Sequence, residues 1–545
     1  MVKLELIISV IKWPLLIIIY PYHIYVFVNR NIKEVQTSLQ SNKRIAKNTL
    51  FLYVRMVFVM GVTLFTSRVV LDKLGVSDYG IYSAVGGVVA MLSFLNGTLS
   101  TGTSRFLTFE LGNNNRTKLE ITFSTAFYAH VVLALFVVLV METAGLWFVY
   151  NKLIIPADRI QAALWAYHIS IFTAVIAITQ VPYTSVIIAH ENMKVYAYLG
   201  LFEALAKLLI VYLLSISSAD KLIFYACLIG IVQLLIAVFY RMYCIKHYEE
   251  SRIKLIFDKV VWKEMMSFSG LSLVANVSHM LSMQGLIVLM NMFFQPVVVA
   301  AQAIGNQLAG AIMQLVNNLQ TAINPQIIKL YAVGDYAGSR KLTLQSSVYV
   351  HELVLLLCLP TIVVMDPLLH LWLVEVPPYA VIFAQFIVFK QVLNVYNNTL
   401  YIPMMASGKL GTNSKIAVWL GIGTFVLLYL LLKLGLSVMW VQYICLLQTC
   451  LFSFVIKPYI LCKEIGYSWL EIRDSFLKSL KVSILPIAVS LSCYWCVHIY
   501  NLGQLIGVAF VICISVIISA YIFLDKEIRD KLHKVVKQRF CKSCI

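Results

Sequence analysis

Residues 42–112 read NKRIAKNTLFLYVRMVFVMGVTLFTSRVVLDKLGVSDYGIYSAVGGVVAMLSFLNGTLSTGTSRFLTFELG. Two apolar spans, 48–71 and 79–104, are joined by a short polar turn, Asp72–Asp78. The first span carries Arg55 within hydrocarbon-length sequence. The second turns polar from Ser93, with Asn96, Gly97, Ser100 and Ser104 recurring on one helical face and Arg105 following. Lipid cannot satisfy such groups, so the stripe is expected to face other helices or a watered cavity. Close helix packing through small residues is the competing account; the accompanying asparagine and arginine favour a cavity wall.

The same kind of span recurs along the chain. Of its 545 residues 61% are hydrophobic and 12% charged, a balance that excludes a soluble domain of this size. Roughly fourteen spans can be marked between residues 48 and 524, with no soluble domain of useful size between them. The expected fold is therefore an all-α polytopic membrane protein. The net charge of +18 does not indicate nucleic acid. Roughly 31 lysines and arginines fall in one set of alternate loops and the flanking ends, against roughly 6 in the other set. That bias places both core termini on the cytoplasmic side. The eleven cysteines are scattered, and neither Cys493–Cys496 nor Cys541–Cys544 has a second pair or histidine at zinc spacing. No metal or cofactor is expected.

The most basic inner loop, 246–264, divides six spans from eight. Asp78–Ser104 can be laid on Val298–Asn324 without gaps, placing Ser104 on Asn324 and Ser100 on Gln320. An even number of spans per copy makes these parallel repeats about the membrane normal. The chain then divides into an apolar segment with a basic flank (1–42), a first lobe (43–245), the inter-lobe loop (246–264), a second lobe (265–460), two extra helices (461–524) and a basic tail (525–545). The expected architecture is two pseudo-symmetric six-helix lobes around a central cavity, plus two C-terminal helices. The role of Leu4–Val28, interrupted by Lys12, Pro14 and Pro21, stays open.

In the second copy Gln307, Gln314, Asn317, Asn318 and Asn324 form an amide-rich face, with Asn276 and His279 on the preceding span. Amides donate and accept, as sugar hydroxyls do. With Asn96, Ser100 and Ser104 they are the expected cavity lining. Basic residues in or at the edges of spans are costly, at least ~2.5–3.5 kcal/mol at mid-bilayer. Lys207 has Glu203 four residues earlier, which reads as a structural ion pair. Arg55, Arg68, Arg105 and Lys390 are the candidates for an anionic ligand, phosphate in particular. Glu352, beside His351, is the candidate for ion or proton coupling.

KNTLFLYVRM, TSRVVLDKLGVSDYGIYSAVGGVVAMLSFLN and TSRFLTFELG, above all the LG-x-x-x-Y-G-I-Y turn at Leu74–Tyr82, resemble the Wzx-type polysaccharide repeat-unit flippases. These belong to the multidrug/oligosaccharidyl-lipid/polysaccharide (MOP) exporter superfamily. The resemblance covers roughly residues 43–525. It implies a non-enzymatic transporter in the cell inner membrane. The cargo it implies is an undecaprenyl-diphosphate-linked oligosaccharide, used in O-antigen or capsule synthesis. A polymerase and glycosyltransferases would be partners. A MATE-like cation-coupled antiporter is the nearest rival, and it would favour an acidic, cation-binding first lobe. A polysaccharide polymerase or glycosyltransferase would need a large outer loop or a paired-acid metal site, and the sequence carries neither.

Overall fold

A computed structural model describes residues 58–112, 115–190, 192–265, 284–496, 501–524 and 529. Arg55, Asn276, His279, the segment 1–42 and the tail apart from residue 529 lie outside the described residues, as do the side chains of Asn96, Arg105 and Asn318. Every regular element among the described residues is a helix. This is what a lipid solvent demands, since each backbone polar group must find its partner within the segment.

The first lobe contains α1 (58–74), α2 (Val76–Ala90), α3 (Ser93–Gly112), α4 (Arg116–Lys152), α5 (Ile160–Ala189), α6 (Met193–Ile216) and α7 (Lys221–His247). The second contains α8 (Leu286–Phe293), α9 (Pro296–Ala332), α10 (Tyr336–Val363), the short α11 (Met365–Trp372), α12 (Ala380–Ser407), α13 (Gly411–Lys433) and α14 (Met439–Ile465). Two further helices follow, α15 (Trp469–Cys496) and α16 (Leu502–Ile522). Eleven helices among the described residues are long and apolar enough to cross a membrane. Helix α1, the α2–α3 pair and α8 occupy the places of the first, second and seventh expected spans, so the chain is a polytopic bundle of about fourteen crossings.

Several helix ends are written locally. Asn115 caps α4 by accepting from the Lys118 amide, Asp220 caps α7 through Leu222 and Ile223, and Asp335 caps α10 through Gly338. Gly75 turns the chain between α1 and α2 at φ 81°, in the left-handed region that favours glycine. Helix α4 widens by one turn at Met141–Gly145. There the Tyr167 hydroxyl donates to the Met141 carbonyl at 2.7 Å, in space that a side chain on Gly145 would fill.

The repeat is visible in the helix starts. Val76 and Pro296, Arg116 and Tyr336, and Ile160 and Ala380 each stand 220 residues apart. The copies differ in one respect: α2 and α3 are separated by a turn at Met91–Leu92, whereas α9 runs unbroken for 37 residues. At 1.5 Å per residue α9 is about 55 Å long, longer than a hydrocarbon core of about 30 Å. In the first lobe α5 packs against α2, α3, α4 and α7; in the second α9, α10 and α12 pack together, with α15 and α16 against α10.

Several cations counted with the loops lie within helices, and two of them, Arg241 and Lys457, are received by neighbouring side chains. Arg241 is in α7 and donates to Thr179 Oγ1 at 2.7 Å, with its guanidinium 5.7 Å from the Tyr183 ring centre. Side chains lean toward the helix N-terminus, which carries this one away from the loop. Lys457 is in α14 and only 2% exposed, with its ammonium 4.7 Å from the Tyr401 ring and 5.2 Å from the Phe452 ring. Ring faces supply the partial negative charge that lets a lysine sit there.

One end of the bundle carries Arg252, Lys254, Arg340, Lys341, Lys409 and Lys463; this is the basic end. At the opposite end the two lobes meet. Trp372 Nε1 donates to the Leu64 carbonyl at 2.8 Å, and Arg68 Nη1 to the Leu371 carbonyl at 3.3 Å. Buried Asn291 takes the Ile154 amide at 3.1 Å. Gly80 lies so near the Pro296 carbonyl that a methyl group on it would overlap. All these interlobe contacts are at the end opposite the basic one.

Candidate functional site: a polar cavity between the lobes

Directly behind that seam is a cavity of about 600 Å³. Its walls come from both lobes and follow helical spacing. Helix α1 presents Thr63, Thr66, Ser67 and Val70, and α2 presents Tyr79, Tyr82, Ser83, Gly86 and Gly87. Helix α6 gives Lys207, Ile210 and Val211, and α7 gives Tyr225 and Ile229. From the second lobe come Gln284, Ile287, Ala303, Asn306 and Gln307.

The wall is rich in groups that both donate and accept hydrogen bonds. It holds four aliphatic hydroxyls, three phenols and three amides, and Lys207 is the one charged lining group among the described residues. Tyr82 and Tyr225 meet edge to face, ring centres 5.1 Å apart, so they offer an aromatic corner rather than a flat stack. Gln307 closes the cavity by donating to the Thr63 carbonyl at 3.3 Å and to Ser67 Oγ. Lys207 Nζ is 2.8 Å from Glu203 Oε1 on the same helix.

The expected site residues are distributed as follows. Gln307 is in the wall, and Arg68 is in the interlobe seam beside it. Gln314 and Asn317 are exposed and Asn324 half-buried, further along α9 toward the basic end. Ser100 is half-buried, and Ser104 donates to Ser185 of α5 at 3.0 Å, within the first lobe. Lys390 is beside Cys445 of α14, away from the cavity lining. Glu352 is buried in the second lobe near Tyr396; its neighbour His351 is 2.9 Å through Nε2 from Ser483 of α15. His351, Tyr396 and Ser483 border a second cavity of about 620 Å³ with mainly apolar walls.

Sequence reasoning passed over Lys207 as wall, along with the three tyrosines and the α1 hydroxyls. A signal was present: Thr63, Thr66, Ser67 and Val70, and Tyr79, Tyr82, Ser83 and Gly86, each form an i, i+3, i+4, i+7 stripe, which Gly87 extends to i+8. Among the described residues no three of His, Cys, Asp and Glu gather to hold a metal ion.

No protein-family model matches the chain, and no curated protein sequence does. Solved structures do. A MOP superfamily transporter from Pyrococcus furiosus, described by the reverse polarity of its binding pocket, aligns at TM-score 0.54 and 10% identity over 80% of this chain and 96% of its own. A multidrug-resistance MATE family transporter in its inward-facing conformation aligns at TM-score 0.57 and 11% identity, again over 80% and 96%. An outward-facing MATE structure aligns at 0.52 and 12% identity, over 79% and 96%. The chain therefore has the MOP transporter fold.

Proposed function

We propose that this protein is a MOP-superfamily transporter of the inner membrane. It moves an undecaprenyl-diphosphate-linked oligosaccharide from the cytoplasmic to the outer leaflet for cell-surface polysaccharide synthesis. The observation that carries the reading is the composition of the interlobe wall. Hydroxyls, amides and phenol rings suit sugars, and a single ammonium suits an anionic group. The lipid tail can remain in the bilayer, whereas the diphosphate and sugars cannot enter hydrocarbon bare. A cleft that replaces their water and rocks between two lobes meets that need. The basic end, with both core termini, faces the cytoplasm under the positive-inside rule. Polymerase and glycosyltransferases would act on either side of this step.

A MATE-like drug or metabolite antiporter is the second reading, favoured by the fold shared with multidrug-resistance MATE structures. The cavity lining argues against an organic cation, because its one charged group among the described residues is positive. The deciding experiment removes the protein from its cell and measures surface glycan, together with lipid-linked intermediates in each leaflet. The expected result is loss of display, with finished intermediates held on the cytoplasmic leaflet. Normal delivery to the outer leaflet would sink the flippase reading and bring the antiporter forward.

A further inference from the structure

We propose that Lys207 and Glu203 form an exchangeable latch, in which Lys207 releases Glu203 and binds an acidic group of the transported ligand. The inference rests on the transporter reading above and assigns its site a charge-recognising residue. Lys207 shares the cavity-facing side of α6 with Ile210 and Val211. Its ammonium meets a single carboxylate oxygen, Glu203 Oε1, at 2.8 Å. The two side chains are 34% and 36% exposed, so packing does not lock either of them in place. An ammonium at a cavity wall that engages one oxygen of its partner can exchange it for a ligand oxygen.

Position supplies the second argument. Helix α6 runs from the basic end toward the closed seam, so Glu203 sits one turn nearer the basic end than Lys207. A ligand entering from the basic end therefore approaches Lys207 from the Glu203 side. Once inside, a carboxylate or phosphate finds one ammonium among neutral donors such as Ser83, Tyr225 and Gln284. These can satisfy its remaining oxygens, which the monodentate Glu203 contact does not need. Both a sugar carboxylate and the carrier diphosphate have the required chemistry.

The test is equilibrium binding to the full chain in nanodiscs, comparing wild type with Lys207→Gln and Glu203→Gln. Four probes are used: undecaprenyl diphosphate without sugar, a uronic-acid oligosaccharide without lipid, a neutral oligosaccharide, and inorganic pyrophosphate. Loss of a charge-assisted hydrogen bond predicts about tenfold weaker anion binding in Lys207→Gln. Glu203→Gln frees the lysine and is expected to strengthen anion binding, with an unchanged helical circular-dichroism spectrum in both variants as the check on folding. Which anion responds identifies the source of the acidic group. If both variants melt lower while anion affinities stay at wild-type values, the pair is structural and the latch is wrong. If pyrophosphate follows the latch pattern but neither carrier nor sugars bind, the latch stands and the flippase reading falls. If carrier and sugars bind without regard to either residue, the reverse holds. If nothing binds, both fall.

Discussion

Nine residues, Leu74–Tyr82, show how much physical work one short motif does here. Gly75 makes the turn out of α1, Asp78 pairs with Arg159, Tyr79 and Tyr82 line the cavity, and Gly80 lets α2 touch the Pro296 carbonyl. Gly80→Ala forces α2 from Pro296, an overpacking of about 1–3 kcal/mol that falls on the closed seam. The expected outcome is faster modification, from the closed side, of a cysteine placed at Ser67 by a membrane-impermeant thiol reagent, in a chain otherwise free of cysteine. Unchanged labelling would show that the contact does not hold the seam. Lys457 makes a prediction of the opposite sign. Its buried ammonium has only ring faces as its described contacts, so Lys457→Met is expected to leave the melting temperature unchanged or raise it, and Lys457→Glu to lower it. The sequence shows such cations plainly but not their surroundings. Lys457 and Arg241 stood near loops in the linear pattern, and only neighbouring helices reveal what receives them.

Helix ends are joined by one ion cluster. Arg159 at the start of α5 takes Asp78 of α2 through Nε at 2.9 Å and Nη2 at 2.5 Å. It also takes Asp220, the cap of α7, through Nη1 at 2.6 Å and Nη2 at 3.2 Å. Three helix N-termini are thereby held by one planar guanidinium, whose geometry permits two forked contacts. Arg159→Ala leaves two carboxylates facing each other and is expected to cost about 2 kcal/mol, read as a lower melting temperature in detergent. Arg159 holds the Asp220 carboxyl below the ordinary carboxylate range. A depressed acid contributes stability above its unfolded pKa, about 4, and loses it as pH falls through the folded value. Melting temperature should therefore drop on acidification below about pH 4, and Asp220→Asn, which keeps a capping oxygen, should flatten that limb. An unchanged acid limb in Asp220→Asn would assign it to other groups. None of this cluster was legible in order along the chain, because its members stand 61 and 81 residues apart.

At the scale of the molecule, closure is one-sided: the described lobe-to-lobe contacts are at the end opposite the basic one, with the polar cavity behind them. Under the function proposed above, rocking between the lobes requires that seam to open. A short bis-maleimide joining cysteines at Leu64 and Trp372 is expected to abolish surface glycan display, while each single cysteine leaves it intact. Display that survives the cross-link would rule out opening at this end. Span number, their up-and-down order, the charge asymmetry and the repeat were all readable beforehand. They follow from local quantities: run length against bilayer thickness, lysine and arginine counts in loops, and a register that recurs at 220 residues. The amide row of α9 was also readable, but not its division of labour. Gln307 seals the cavity and Gln314 and Asn317 are exposed, while Gln302 and Gln320 bond inward to Gln442 and Thr399. By itself the sequence determined a membrane-spanning helical bundle of two related halves, because lipid leaves a chain of this composition no other backbone solution. Only the tertiary structure decided that Lys207 and three tyrosines line the cavity. A helix face acquires meaning from what packs opposite it, and that depends on crossing angles and contacts far apart in the chain.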